Sequence, residues 1–209
     1  CDGVAYSALT CSSRATLRSA NGAEGFATGA SLEMGVNNSA CGTTDQWDRI
    51  RRNFALFDTS AIGTDGIDDA TLSLFGFSKD ETVGGQSIGV VTATTATDTN
   101  IAITHYENNV NATTLQAPAI TFASFSTTAY NDFLFDATGK SNINKTGVSK
   151  WGLKISGDYN NTAPTWATSA VAANVQARSA DFAGTTNDPK FVVNHSVVAA
   201  GGGNKMSMM

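Results

Sequence analysis

A period of two, not the spacing of a helix, organises the apolar and polar positions along most of the chain. Residues 47–57 place Ile50, Arg52, Phe54 and Leu56 on one side of an extended backbone, with Arg49, Arg51, Asn53 and Ala55 on the other. This pattern predicts a strand. Its phase breaks at Phe57 and Asp58, where Asp58-Thr59-Ser60 supplies side-chain oxygens that compete with a continuing ladder and favour a turn. Residues 67–77 resume the alternation, with Ala70, Leu72 and Leu74 facing one way and Thr71, Ser73, Phe75 and Phe77 the other. Both faces of that strand therefore require apolar cover toward its end. Residues 31–36 predict a strand within a Gly-, Ala-, Ser- and Asn-rich stretch at 22–42 that otherwise reads as loop. Weaker alternation at 87–92, 100–106, 130–135, 151–156, 174–179 and 190–195 predicts further short strands.

Val and Thr crowd these segments, and branching at Cβ restricts χ1 in a helix while suiting a pleated surface. One helical connector is expected at 136–145, where Asp136 or Thr138 can cap a turn before Gly147. About ten short strands with no long helix to make parallel crossovers predict an all-β fold, an antiparallel β-sandwich of jelly-roll type. With 209 residues, 41% of them hydrophobic, the chain suffices for one core. The expectation is a single domain over residues 1–197, followed by a flexible Gly- and Met-rich tail at 198–209.

Composition narrows the function. Only 15% of residues are charged, with 20 Gly and 3 Pro, which excludes a coiled coil and a disordered chain. The net charge of -5 removes the broad basic field on which non-specific nucleic-acid binding depends. No apolar run approaches the roughly 20 residues of a membrane-spanning helix. The 3 cysteines, Cys1, Cys11 and Cys41, form no CxxC pair, so a zinc site is not expected. In an oxidising compartment Cys11 and Cys41, both inside the chain, are the candidate disulfide. Cys1 fits either a lipidated cysteine left by signal cleavage or the cut end of a longer precursor.

Catalytic candidates are few. His105 and His195 are the 2 imidazoles, and no GxSxG elbow accompanies them, so no nucleophilic triad is expected. Gly139-Lys140-Ser141 lacks the upstream glycine of a phosphate-binding loop, whose place is taken by Leu134. Asp65, Asp68 and Asp69, and likewise Asp80 and Glu81, sit in turns beside the 67–77 strand, where carboxylates bond local backbone. A structural calcium ion could use such loop oxygens, and Asp188 before Pro189 is a further candidate, but no EF-hand spacing is present. No other cofactor is expected. Sugar recognition needs an aromatic platform. Trp151 alternates with Leu153 and Ile155 and reads as core, which leaves Trp166 and Tyr159, in a loop-like stretch, as carbohydrate-binding candidates. Arg49, Arg51 and Arg52 point to alternating faces and make no continuous phosphate-tracking patch; Arg52, on the inward side, requires a carboxylate partner.

The run Arg52-Asn53-Phe54-Ala55-Leu56-Phe57-Asp58-Thr59-Ser60, followed by Asp69-Ala70-Thr71-Leu72-Ser73-Leu74-Phe75, resembles the DNRLRE domain pattern. In that pattern an apolar strand ending in Phe-Asp precedes a Ser-Ala-Thr-Leu-Ser-Leu-type strand. Residues 145–153 and 184–193 are similar to the close of phage and environmental structural proteins of this type. The resemblance implies a carbohydrate-binding-module-like sandwich in a surface, adhesion or virion-associated protein without catalytic residues. It leads to the expectation of a non-enzymatic phage virion component, a capsid decoration or fibre at the virion surface. Such a protein acts through contacts with its own copies or other coat subunits, with Phe75 and Phe77 as contact candidates. The alternative is a secreted or cell-surface carbohydrate-binding module with glycans as partners.

Overall fold

In the computed structural model, which describes residues 2–26, 29–39, 41–109, 111–166 and 170–197, the alternating segments become strands joined by antiparallel ladders. In chain order these are β1 (Asp2–Ser13), β2 (Glu24–Phe26), β3 (Ser31–Asn38), β4 (Gln46–Asp58), β5 (Gly66–Glu81), β6 (Ser87–Thr92), β7 (Ile120–Thr121), β8 (Tyr130–Leu134), β9 (Val148–Ile155), β10 (Val171–Arg178) and β11 (Lys190–Ser196). Short helices α1 (Arg14–Ser19), α2 (Thr104–Asn108), α3 (Ala137–Ser141) and α4 (Ser156–Tyr159) interrupt them. The strands run β11-β5-β10-β3-β4-β9-β6-β7, with β1 pairing β4, β2 pairing β1 and β8 pairing β5. The fold is an all-β antiparallel β-sandwich, nearly closed, in which long crossovers such as those that set β10 beside β3 and β9 beside β4 give the jelly-roll character. The expected tail at 198–209, and Cys1, lie outside the described residues.

Strand β5 holds the layers together. Its first part pairs with β8 and β11 and its last part with β10. Ala70, Leu72 and Leu74 are buried as their alternation requires, and Leu72 lies opposite Phe133 on one side and Phe191 on the other. Burying one such side chain contributes about 1.5–3 kcal/mol before entropy is counted. Phe191 also packs on Phe57, Phe135 and Trp151, at ring-centroid distances of 5.4, 5.2 and 5.7 Å.

The two faces of β4 differ. Ile50, Arg52, Phe54 and Leu56 are all buried. The opposite face changes along the strand: Asn53 and Ala55 are buried and Phe57 is covered by Phe191, whereas Arg51 is half-buried and Arg49 exposed. β3 pairs with β4 only over Gly35–Arg51, Val36–Ile50 and Asn37–Arg49. Beyond that point the strands part, and the Asn53 amide bridges them by accepting from the Glu33 N–H at 3.0 Å and donating to the Glu33 carbonyl.

Two expected elements are corrected, and one further strand is found. Residues 100–106 were expected to form a strand, but the chain turns into α2 there, with neighbouring His105 and Tyr106 both buried. A strand sends successive side chains to opposite faces, whereas one helical turn lets both point inward. The amino-terminal segment, which carries no clean alternation, forms the long strand β1. Its pairing with β4 shifts register between Ala8 and Ser12, and Cys11 within that irregularity has φ 45. The helix expected at 136–145 is the shorter α3, with Asp136 accepting from the Gly139 N–H at 2.9 Å.

Candidate functional site

The inward side of β4 carries a buried ionic network. Helix α4 follows β9 directly and turns Asp158 beneath β4, where Arg52 donates from Nε to Oδ2 at 2.6 Å and from Nη2 to Oδ1 at 2.8 Å. The remaining Arg52 nitrogen donates to the Tyr106 carbonyl at 2.5 Å, and the guanidinium stacks 4.0 Å from the Tyr106 ring centroid. Arg18 Nε lies 3.1 Å from Asp158, and Lys154 Nζ lies 3.7 Å from it while donating to the carbonyls of Asn109 and Ala112 at 2.9 Å each. Burial alone would raise the Asp158 pKa, but Arg52, Lys154 and Arg18 hold it below the usual carboxylate range. Burial lowers Lys154 to about 8 against the pull of Asp158, with repulsion from Arg52 and Arg18 acting in the same direction as burial. Burial pushes the Tyr106 phenol up to about 12; its hydroxyl donates to the Leu17 carbonyl at 2.8 Å. Arg52 and Asp158 are each 1% exposed and held from several sides, an arrangement that fixes structure and offers no reacting atom to solvent.

Surface clefts lie elsewhere among the described residues. The first, about 280 Å³, is lined by Val4, Tyr6, Gly29, Ser31, Glu33, Arg49 and Arg51. Register explains the grouping: Tyr6 pairs with Arg51 and Ala8 with Arg49, so the ring and both guanidinium groups rise from one face. Arg49 and Arg51 lie 5.3 and 5.9 Å from the Tyr6 ring centroid. The stacked pairs of this protein are closer, at 4.0 Å for Arg52 on Tyr106 and 3.9 Å for Arg178 on Phe77, so Arg49 and Arg51 lie more loosely over the Tyr6 ring. Arg51 is tied to Glu33 at 2.8 Å and to Asn37 Oδ1 at 2.8 Å, and Gln176 donates to Glu33 at 3.2 Å. Beside them Asn174 lies over Gly35, where a Cβ would meet Asn174 Oδ1 at 2.6 Å, and that buried oxygen has no hydrogen-bond partner among the described residues.

The second cleft, about 360 Å³, contains Tyr159 together with Gln86, Ser87, Ser156 and Asn160. Tyr159 is only 7% exposed, shares a 2.8 Å hydrogen bond with the Ser87 hydroxyl and packs over Gly89. Trp166, at 6% exposed, does not line this cleft; it meets the buried Trp47 edge-on at 6.1 Å. The exposed platform expected from Trp166 and Tyr159 is therefore not formed. An indole in a loop recovers more free energy by filling the end of the sandwich than by facing water.

The third cleft, about 330 Å³, adjoins the Cys11–Cys41 disulfide and includes Leu9, Ser39, Asp48 and Arg49. The two sulfurs and an Asp48 oxygen lie within 4.8 Å of one another. Burial raises the Asp48 pKa, but the hydroxyl and N–H of Ser39 and the N–H of Cys11 donate to it and hold it below its ordinary value.

The remaining candidates have partners within the chain. His195 Nδ1 contacts Asp65 at 2.7 Å and Ser196 donates to Asp68. His105 is buried, with the N–H groups of Ala96 and Ala102 directed at its two ring nitrogens. Lys140 donates to the Asp68 carbonyl. Phe75 meets Tyr130 edge-on at 5.4 Å, and Phe77 lies under the guanidinium of Arg178. No helix among the described residues is long and apolar enough to cross a membrane.

Fold and clefts together define a disulfide-bonded β-sandwich with a tyrosine–arginine groove on a sheet face. No family model and no curated protein matches the chain. Among solved structures it is similar to a carbohydrate-binding module of the β-sandwich superfamily, from a study of promiscuous specificity in such modules, at 7% identity and a TM-score of 0.29. The match covers 78% of this chain and 54% of that one, so the chain spans about half the length of the structure it matches.

Proposed function

We propose that this protein is a non-catalytic, extracellular glycan-binding module that takes its ligand in the groove at Tyr6, Arg49 and Arg51. The observation that carries this reading is a surface groove that gathers a phenol ring, two guanidinium groups and an anchored carboxylate on one sheet face. A pyranose offers C–H groups to an aromatic face and hydroxyls to forked donors and carboxylate acceptors, so these residues supply both halves of sugar recognition. Extracellular placement agrees with the Cys11–Cys41 disulfide. The test is a glycan array with the wild-type protein and Tyr6→Ala. Binding that disappears in a variant with an unchanged melting transition is the expected result, and equal binding by both proteins refutes the site.

A second reading, a coat or surface subunit acting through its own copies, draws on one observation. Leu134 on β8 and Val192 on β11 are 65% and 54% exposed and flank Thr71 across β5. Light scattering on the wild type and on Leu134→Ser/Val192→Ser tests it: a monomer in both cases removes this reading.

A further inference from the structure

We infer that Cys11, Cys41 and Asp48 form a zinc-class metal site in the chain whose two thiols are free, so that one cluster is fastened either by a disulfide or by a divalent cation. The site lies at the third cleft and shares none of its three ligands with the groove proposed for glycans.

The three side chains come from separate parts of the chain, and each is held in place. Cys11 sits where β1 shifts register on β4, at φ 45, a left-handed conformation rare for a residue with a Cβ. Cys41 follows β3, its N–H donating to Asn38 Oδ1 at 2.7 Å and its carbonyl accepting from the Asn38 amide at 3.3 Å. The two Cα atoms are 5.2 Å apart. Asp48 comes from β4. Its Oδ2 accepts from the N–H and the hydroxyl of Ser39, and its Oδ1 accepts from the Cys11 N–H at 3.3 Å. Donors of this kind set the rotation of a carboxylate before any metal arrives.

Asp48 Oδ1 stands 3.2 Å from Cys41 Sγ and 3.8 Å from Cys11 Sγ. In the disulfide neither sulfur has a proton to give, so this oxygen faces two atoms that offer it only lone pairs. A cation among them turns all three atoms into ligands. Tetrahedral zinc, with sulfur at about 2.3 Å and oxygen at about 2.1 Å, sets each S···O separation at about 3.6 Å. That value falls between the two distances the fold already provides. The sulfurs have to part to about 3.8 Å, which side-chain rotation allows at this Cα separation. The open cleft leaves the fourth position to water. Two thiolates select a zinc-class ion, whereas calcium asks for several oxygens. The charge of Arg49 also acts on Asp48, so a cation that does not bond to sulfur is opposed.

Zinc binding releases one proton from each thiol to solvent and changes no oxidation state. Every chain is synthesised with its thiols free, so the metal-holding form precedes the disulfide. Conversion requires an oxidant such as a small-molecule disulfide. It takes two electrons from the thiolates and, with two protons, leaves as two thiols, while Cys11 joins Cys41 and the zinc ion departs.

The experiment uses the full chain carrying Cys1→Ser, which removes the third thiol, reduced with a phosphine that leaves as its oxide. Cobalt(II), a spectroscopic substitute for zinc, is titrated first and zinc second. The expected result is one cobalt per chain with a sulfur-to-cobalt charge-transfer band that zinc abolishes, and a melting transition raised by zinc. The oxidised chain should take up neither ion. Cys41→Ser should lose the band, and Asp48→Asn should bind zinc at least about 10-fold more weakly. No band in the reduced chain, a band that survives Cys41→Ser, or an unchanged zinc affinity in Asp48→Asn overturns the three-ligand site. A reduced chain that is unfolded and stays unfolded with zinc overturns it as well.

Discussion

Arg51 and Arg52 are adjacent on β4 and sit in opposite kinds of environment. Arg52 is 1% exposed, with Asp158 held bidentately and two backbone carbonyls each accepting one further hydrogen bond. On the other face Arg51 is anchored at the rim of a groove and Arg49 is left open to solvent. The same side-chain chemistry fixes structure where four donations hold it from several sides and stays at the solvent where it is not so held. A buried ion pair is costly to break, because removing one partner strands a desolvated charge, whereas a surface guanidinium contributes little to stability.

The sharpest way to break this comparison is to truncate both sides. Arg52→Met should destabilise by about 3–5 kcal/mol, since Asp158 then loses its bidentate partner. Arg49→Ala should stay within about 0.5 kcal/mol of the parent in the same denaturant titration. Equal losses would show that the two faces are not distinct in kind.

Next in size is the disulfide beside the groove. The Cys11–Cys41 bond spans a sequence separation of 30, and a loop of that order is worth about 3–4 kcal/mol of restricted denatured-state entropy. Cys41→Ser should lower the melting transition accordingly, and a non-reduced digest of the parent should yield the linked peptides in mass spectrometry. Both cysteines found alkylatable in the native, non-reduced protein would remove the bond.

A smaller effect concerns the buried imidazole on the inward side. Burial, followed by the nearby charge of Lys150, keeps the His105 pKa below its free value of 6.5. Both ring nitrogens face backbone N–H groups, and the neutral ring can accept from one of them, so a second proton would remove the one acceptor it has. With the folded value depressed, this residue's contribution is fully present above pH 6.5 and is lost as pH falls below it. Stability measured from pH 7.5 to 5 should decline, and His105→Gln should flatten that slope. The smallest expected change is on the outer face: Tyr6→Ala should leave the melting transition nearly unmoved while abolishing glycan binding.

Much of the framework could be read directly from residue order. The inward set of β5 follows from strict alternation, because one face of that strand meets the core along its length and any slip would expose Leu72. The demand of Arg52 for a carboxylate was equally legible, but its identity was not: Asp158 lies in a four-residue helix that only the turn after β9 brings beneath β4. β1 escaped notice because its register shift breaks the period at Ala8 to Ser12. The groove went with it, since Tyr6 meets Arg49 and Arg51 only through a pairing between β1 and β4 that no local pattern announces. Trp166 misled for a different reason. A loop indole looks available in sequence, yet the gap beside Trp47 at the end of the sandwich absorbs it.

The placement of β5 also governs how the chain reaches this structure. Its partners β8, β10 and β11 all come later in sequence, so both sides of its ladder stay open until the carboxy-terminal strands arrive. Loop-closure entropy must be met before those distant pairings return any free energy, which puts folding in the slow range of about milliseconds to seconds typical of non-local β topologies. During that interval an apolar strand with free edges is a template for neighbouring chains. Dilution during refolding, or a partner that shields residues 66–81, should therefore decide yield more than any change to the groove.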